Sequence, residues 1–444
     1  MPQARGSKLR VLAIDIGSSS VKAAVLTGPA PRRVSRQAFK TTYASPRVEV
    51  PATAILAGVK RAIADLGHAA KHVDLIVPTG MAPSWLAMDA SGRALTPVVT
   101  HQDRRSQHEA ETIEREIGRA RHLAVVGNRP TPGGISSTTA AWFFRHDPQL
   151  KRTTTLVGHL NTWLVHLLTG ERVIDPSNAS FTGLYRTTTL DGWDDDLLAV
   201  AGVKRDQLPR VIDGNVVAGR VTTAGARRLG LTAGTPMLAG VIDGSGGLLL
   251  AGGKPRTTLN VVGSTDVLAV VTAEPHPFEG LLTRALGVGG QWVTAATVAA
   301  AGSAIDWAHR TFFADLSDPA FRREVAKLVR RPVATGLAFD ARLAGTRTAV
   351  EPVRGTITNL DLGADRRGIL SALLDSLARQ SGQRFDFLAD AGVPFDRLVH
   401  TTGGGAATLA TVLRPDWPKG LRFKALNEAT AGGAWRLAEM ATKA

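Results

Sequence analysis

The feature that most restricts how this chain can fold is a hairpin written twice. Residues 9–27, LRVLAIDIGSSSVKAAVLT, run from an apolar β-rich stretch through a small-residue turn at Gly17 to Ser20 into a second apolar stretch. Residues 258–272, TLNVVGSTDVLAVVT, repeat that plan with the turn at Gly263 to Asp266. One unit near the start of each half predicts a duplicated architecture. The chain has 444 residues, long for a single core, so two domains are expected, 1–245 and 246–444.

Helical and strand patterns fill the space between the hairpins, which makes the fold class α/β. A charged helix is expected within 100–120, and an apolar helix closed by Gly170 within 156–173. DGWDDDLLAVAGV (191–203) reads as a short helix whose acids favour its N-terminus. Further helices are expected at 298–313, 366–392 and 425–441. VHTTGGGAATLATVL (399–413) reads as a strand end, a triple-glycine turn and a helix. The glycines from 246 to 253 suggest a hinge between the halves.

Composition removes several classes. There is no cysteine, hence no disulfide framework and no thiolate metal site, in keeping with a reducing cytoplasm. No run of eighteen uncharged apolar residues offers a membrane span, and the N-terminal apolar run is too short for a secretory signal and is broken by Asp15. The net charge of +15 raises nucleic acid as a partner. Its basic residues come as scattered pairs such as Arg104-Arg105 and Arg330-Arg331, mostly interleaved with acids, so no nucleic-acid face is expected. An anionic small substrate would benefit from the same field.

Three stretches carry anion-binding chemistry. In IDIGSSSVK, Ser18, Ser19 and Ser20 bring hydroxyls and, with Gly17, backbone N–H groups to a tight turn, Lys22 adds a charge, and Asp15 is placed to hold Mg²⁺ against a phosphate. A plain serine-rich turn is the alternative. Gly263, Ser264 and Thr265 offer the same donors in the second hairpin, so that two turns could clasp a polyphosphate. Gly403, Gly404 and Gly405 would let backbone approach a flat ligand, with a helix N-terminus behind them. Neither a Walker motif nor a dinucleotide-binding fingerprint is present. Asp243 follows the apolar Ala239, Val241 and Ile242 and precedes a glycine-rich run. It reads as a general base in a cleft or as the start of an Asp-Gly turn, and the residues alone leave both open.

Taken together, these segments resemble the FGGY family of carbohydrate kinases, within the actin, Hsp70 and hexokinase superfamily. The match lies in the order of IDIGSSSVKAAVL, GVIDGSGGLLLAGG, VVGSTDVLAV, AAAGSAIDW and TTGGGAATLATVL, supported by LTGERVIDPSNAS (168–180), LGLTAGTPMLAG (229–240) and LAGTRTAVEPVRGTITNLDL (343–362). The resemblance implies two ribonuclease-H-like (actin-like ATPase) domains around a central cleft, and transfer of the ATP γ-phosphoryl group to a sugar or polyol hydroxyl. It implies Asp243 as the base, and Asp15 and Asp243 as the Mg²⁺ side of the site. Gly17, Ser18, Ser19, Lys22, Gly263, Ser264 and Thr265 would meet the phosphates, with Gly302 and Gly403 to Gly405 bordering the nucleotide.

The sugar side departs from the family pattern. In TGMAPSWLAMDASGRALTPVVTHQDRR (79–105), Met81, Ala82 and Pro83 stand where pentulose kinases carry Gln, Met and His, and His101 replaces a tryptophan, while Asp103 and Arg105 match. The expected acceptor contacts are Met81, Ala82, His101, Asp103, Asp243 and Gly244. Partners are then a small-molecule carbohydrate (a ketose such as a pentulose, a sugar acid or a polyol), no nucleic acid, no membrane, and a homodimer is allowed. A non-catalytic nucleotide- or sugar-binding regulator on the same fold is the rival reading.

Overall fold

The computed structural model describes residues 9–334 and 336–443. The first half is built on seven strands: β1 (Val11–Ile16), β2 (Ser20–Leu26), β3 (Ser35–Ala38), β4 (Leu75–Gly80), β5 (Val217–Arg220), β6 (Pro236–Leu238) and β7 (Val241–Ile242). Their order is β5-β6-β4-β1-β2-β3, with β7 also on β4. The first three strands are antiparallel neighbours, while β4 runs parallel to β1, β6 and β7.

The second half repeats this plan with β8 (Thr258–Val262), β9 (Asp266–Thr272), β10 (Leu282–Ala285), β11 (Trp292–Val298), β12 (Leu398–Thr402) and β13 (Arg422–Ala425), ordered β10-β11-β9-β8-β12-β13. Again β8, β9 and β11 are antiparallel neighbours, and β12 then β13 continue parallel to β8. The duplication expected from the two hairpins is therefore the architecture, with β10 as an added edge strand. A smaller sheet of five short strands between residues 42 and 158 extends the first half.

The helices used below are α1 (Ala52–Asp65), α2 (Gln107–Ile117), α3 (Leu160–Thr169), α4 (Asp243–Ala251), α5 (Gly302–Phe312), α6 (Arg366–Asp390) and α7 (Ala429–Lys443). Among the described residues, no helix is long and apolar enough to cross a membrane. A strand covered on both faces must be apolar throughout, and alternate residues of β1 enter different cores. Leu12, Ile14 and Ile16 pack with Ile55 and Val59 of α1 and Leu164 of α3. Val11 and Ala13 instead meet Leu248 of α4 and Trp435 and Leu437 of α7, in a core that also takes Leu259, Ala269 and Val271 from the second sheet. We propose the division at 245/246 with this proviso: α7 seats on β1 and β4 of the first half.

The glycine-rich segment after Asp243 is corrected from a hinge to a helix. Its glycines permit backbone contact: a Cβ on Gly433 of α7 would lie 2.1 Å from the Gly246 carbonyl oxygen of α4. Glycine inside a helix costs about 1 kcal/mol against alanine, and close packing offsets it here. Gly433→Ala should therefore destabilise the protein by about 1–3 kcal/mol through overpacking, despite its better helix propensity. A lowered urea midpoint checks this; Gly28→Ala, where no atom lies within 4 Å of the added carbon, is the neutral control.

Candidate active site

Strand pairing gathers the first-half residues. Asp15 on β1 lies opposite Lys22 on β2 and beside Thr79 on β4. Thr79 donates its hydroxyl to the Asp15 carboxylate at 3.3 Å. Since β7 pairs Ile242 with Gly80, the next residue, Asp243, emerges at the same end of the sheet. Ligands of α/β sheets gather at the carboxyl ends of parallel strands, and both carboxylates are there. Burial first and the charge of Asp243 second push Asp15 up to about 7, against the lowering pull of Lys22. The Gly17 to Ser20 turn closes with a Gly17 N–H to Ser20 carbonyl bond of 3.0 Å, leaving Ser18 and Ser19 exposed. Lys22 also pairs with Glu428, 3.7 Å away, just before α7.

Asp243 opens α4, half-buried, and accepts a bond from the Gly244 N–H at 2.6 Å. Burial raises its pKa, while that bond and the charges of Arg284, Arg347 and Lys22 oppose the rise. A turn in DPSNAS fixes the local backbone. Asp175 is buried and accepts from Ser177 and Asn178; the Ser177 hydroxyl accepts the Ile242 N–H at 3.1 Å. Ser180 accepts the Ala285 N–H at 2.9 Å, next to Arg284. That single turn thus braces the strand entering Asp243 and the strand bearing Arg284. Arg284 reaches the Ser245 hydroxyl at 2.6 Å and its neighbour's carbonyl at 3.0 Å.

The second-half motifs are knitted together by backbone bonds. Ser264 carbonyl accepts from Ala301 and Ser303, Gly263 carbonyl accepts from Gly302, and Val262 carbonyl accepts from Gly405. Gly403 has φ near 100° and leaves no room for a Cβ, which would sit 2.3 Å from the Val262 oxygen. Gly263 and Gly404, by contrast, face open space, and Ser264 is exposed. Such a cradle of bare backbone suits a nucleotide. One expectation is corrected: behind the glycines lie turns and only a four-residue helix, Ala410–Leu413, because Gly405 and Leu409 are spent packing on Val262.

The donor set suits Mg²⁺. Among the described residues, no three His, Cys, Asp or Glu side chains gather into a preformed cage. Two neighbouring carboxylates, the charge of Asp243 raising the proton affinity of Asp15, suit a cation that takes one or two carboxylates and completes its shell with water and phosphate.

The sugar-side residues are dispersed. Met81 is buried in the first-half core, and Ala82 packs with Ile135, Phe181 and Ile242. Asp103 is buried, its oxygens taken by the Val48 N–H at 2.7 Å and by Arg105 at 2.8–3.1 Å, so it braces a loop. His101 is half-buried, with Nδ1 buried and without a hydrogen-bond partner among the described residues. Gly244 lies against the Arg284 guanidinium, 3.5 Å from where a Cβ would stand. Sequence reasoning missed Arg284, Arg347 and Glu428 as neighbours of the carboxylates. Arg284 did leave a signal, a lone charge in the apolar run LLTRALGVG.

Two sheets of like topology, joined through α4 and α7 with carboxylates at the strand ends, define the actin-like class of phosphotransfer folds. The N-terminal domain model of the FGGY family of carbohydrate kinases matches residues 10–249, and the C-terminal domain model matches residues 258–414. The chain belongs to that family. It is 28% identical over 432 residues to a glycerol kinase of Bordetella parapertussis, covering 89% of this chain and 81% of that protein. The xylulose kinase structure from Rhodospirillum rubrum superposes with a TM-score of 0.81 at 24% identity, covering 97% of this chain and 89% of that one. Plasmodium falciparum glycerol kinase with ADP gives 0.81 at 18% identity, covering 99% and 91%.

Proposed function

We propose that this chain transfers the γ-phosphoryl group of ATP to a hydroxyl of a small carbohydrate, with Asp243 as the proton acceptor. The observation that best supports this is the half-buried Asp243 at a strand end, beside Asp15 and in the field of three cations. Its raised pKa makes it a better base than a solvated carboxylate. The acceptor O–H gives its proton to Asp243, the oxygen bonds to the γ-phosphorus, and the bond from that phosphorus to the bridging oxygen breaks, releasing ADP. Gly17, Ser18, Ser19 and Lys22 meet the phosphates from one side and Gly263, Ser264 and Thr265 from the other. Gly302 and Gly403 to Gly405 border the nucleoside. Held by Asp15 with Asp243 nearby, Mg²⁺ would neutralise charge on the transferring group. Catalysis of this kind is mostly positioning and charge stabilisation.

The experiment is ADP release with ATP and Mg²⁺ across a panel of ketoses, alditols and sugar acids, with products identified by mass. Acceptor-dependent release that stops on chelation with EDTA is the expected result. ATP binding without turnover on any acceptor would overturn the kinase reading in favour of a regulator.

A further inference from the structure

The turn between β10 and β11 folds over the first half and encloses a cavity of about 520 Å³ that holds none of Asp15, Asp243 or the two phosphate-side turns. Tyr185, Asp191 and Asp213 line it from the first half, and residues between Ala285 and Gln291 from the second. Its walls are tied across the halves. Asp213 accepts the Gly289 N–H at 3.1 Å, the Gly287 carbonyl accepts from Gly214 at 2.8 Å, and the Thr187 carbonyl accepts the Trp292 indole N–H at 2.7 Å.

The charge of this cavity is opposite to that of the chain. Lys and Arg number 53 against 38 Asp and Glu, yet Asp191 and Asp213 line the cavity and no basic side chain does. Asp213 is half-buried, spends one oxygen on the Gly289 N–H, and pairs with no Lys, Arg or His among the described residues. A carboxylate held partly out of water without a counter-charge favours a cationic partner. Asp191 is more exposed, holds the Thr189 hydroxyl at 2.6 Å and has Arg186 3.9 Å away.

An unused hydroxyl completes the lining. Tyr185 is 2% exposed, and its phenol has no hydrogen-bond partner among the described residues. The ring packs with Ile174, Ala179 and Trp193, which leaves the hydroxyl end for the cavity. Burial first and the charges of Asp191 and Asp213 second push this phenol up to about 12, so it stays protonated. A buried hydroxyl without a partner is costly unless something enters to meet it.

We propose that this cavity binds a small organic ammonium ion, with Asp213 as its counter-charge and the Tyr185 oxygen accepting one of its N–H groups. Leu190, Val211, Ile212 and Val288 would cover its carbon body. A bare metal ion suits the space less well, because among the described residues no three His, Cys, Asp or Glu side chains gather. The site stands apart from the kinase reading: Tyr185, Asp191 and Asp213 lie outside the stretches that carry the family resemblance.

Tyrosine reports on the cavity directly, since the chain has only two, Tyr43 at the surface and Tyr185. The test is NMR of the full chain with isotope-labelled tyrosine rings, assigned with Tyr43→Phe. Cyclohexylammonium, cyclohexanol, cyclohexanecarboxylate and Ca²⁺ are each titrated at constant ionic strength. Cyclohexylammonium should move the Tyr185 signals saturably and leave those of Tyr43 in place, while the alcohol and the carboxylate do neither. Asp213→Asn, whose amide oxygen can still accept the Gly289 N–H, should weaken that binding at least about 10-fold. An equal response to cyclohexanol, or an Asn variant that binds as wild type does, would overturn the proposal by making the cavity an apolar hole. A response to Ca²⁺ alone would overturn it in favour of a metal ion, and Tyr185 signals unmoved by every probe would end it. Should Asp213→Asn fail to fold, Asp191→Asn and the comparison of the three cyclohexyl probes decide the matter.

Discussion

Asp243→Asn should lower kcat roughly 10²- to 10⁴-fold, about 3–5 kcal/mol of barrier, while leaving ATP binding within a few-fold of wild type. The amide keeps the shape but cannot take the acceptor's proton. Because burial raises the Asp243 pKa, the acid limb of the wild-type pH–rate profile should lie above the ordinary carboxylate range near 4. Activity is present above that limb, where the carboxylate is charged, and is lost as pH falls through it. The variant should show no such limb. A variant with full turnover and an unchanged profile would remove Asp243 from the chemistry.

Arg384→Met should be the most damaging single change to stability, by about 3–5 kcal/mol, because it strands a buried charge. Arg384 on α6 and Asp266 on β9 pair at 2.6 Å, with side-chain exposures of 2% and 0%. Ser381 bridges them: it bonds to Asp266 at 3.2 Å, receives Arg384 at 2.7 Å, and takes the Trp417 indole N–H at 2.9 Å. Asn260 holds the other Asp266 oxygen. Replacing both partners, as Arg384→Met with Asp266→Leu, should recover most of the loss, since an apolar pair does not demand mutual neutralisation. A double-mutant cycle in urea reads the coupling; strictly additive effects would show that the two charges are independent. As Asp266 follows directly on the Gly263 to Thr265 turn, the single variant should also raise the KM for ATP.

The sequence carried its architecture in local signals. Each hairpin has a continuous apolar run, a small-residue turn and a second run, and no tertiary information was needed to see that they match. Asp15 stood out as the charge inside VLAIDI, and Asp194, which caps a helix through the N–H groups of Asp196 and Leu197, behaves as its acid run suggests. Position across the cleft was another matter. Glu351 docks on Arg129, a contact 222 residues apart that no local pattern announces. The glycines from 246 to 253 misled for a related reason. Alone they describe freedom, but against the facing glycine of α7 they describe closeness, and only the partner helix distinguishes the two.

That glycine-to-glycine crossing governs how the halves can move. Gly246 and Gly433 meet backbone to backbone, Leu250 of α4 fits against Gly432 of α7, and the surrounding apolar interior belongs to both sheets at once. A swivel on a loose tether would tear that shared interior open. Narrowing of the gap around a bound ligand is instead expected as a shear of small amplitude between the two packed helices, which keeps the interior dry throughout.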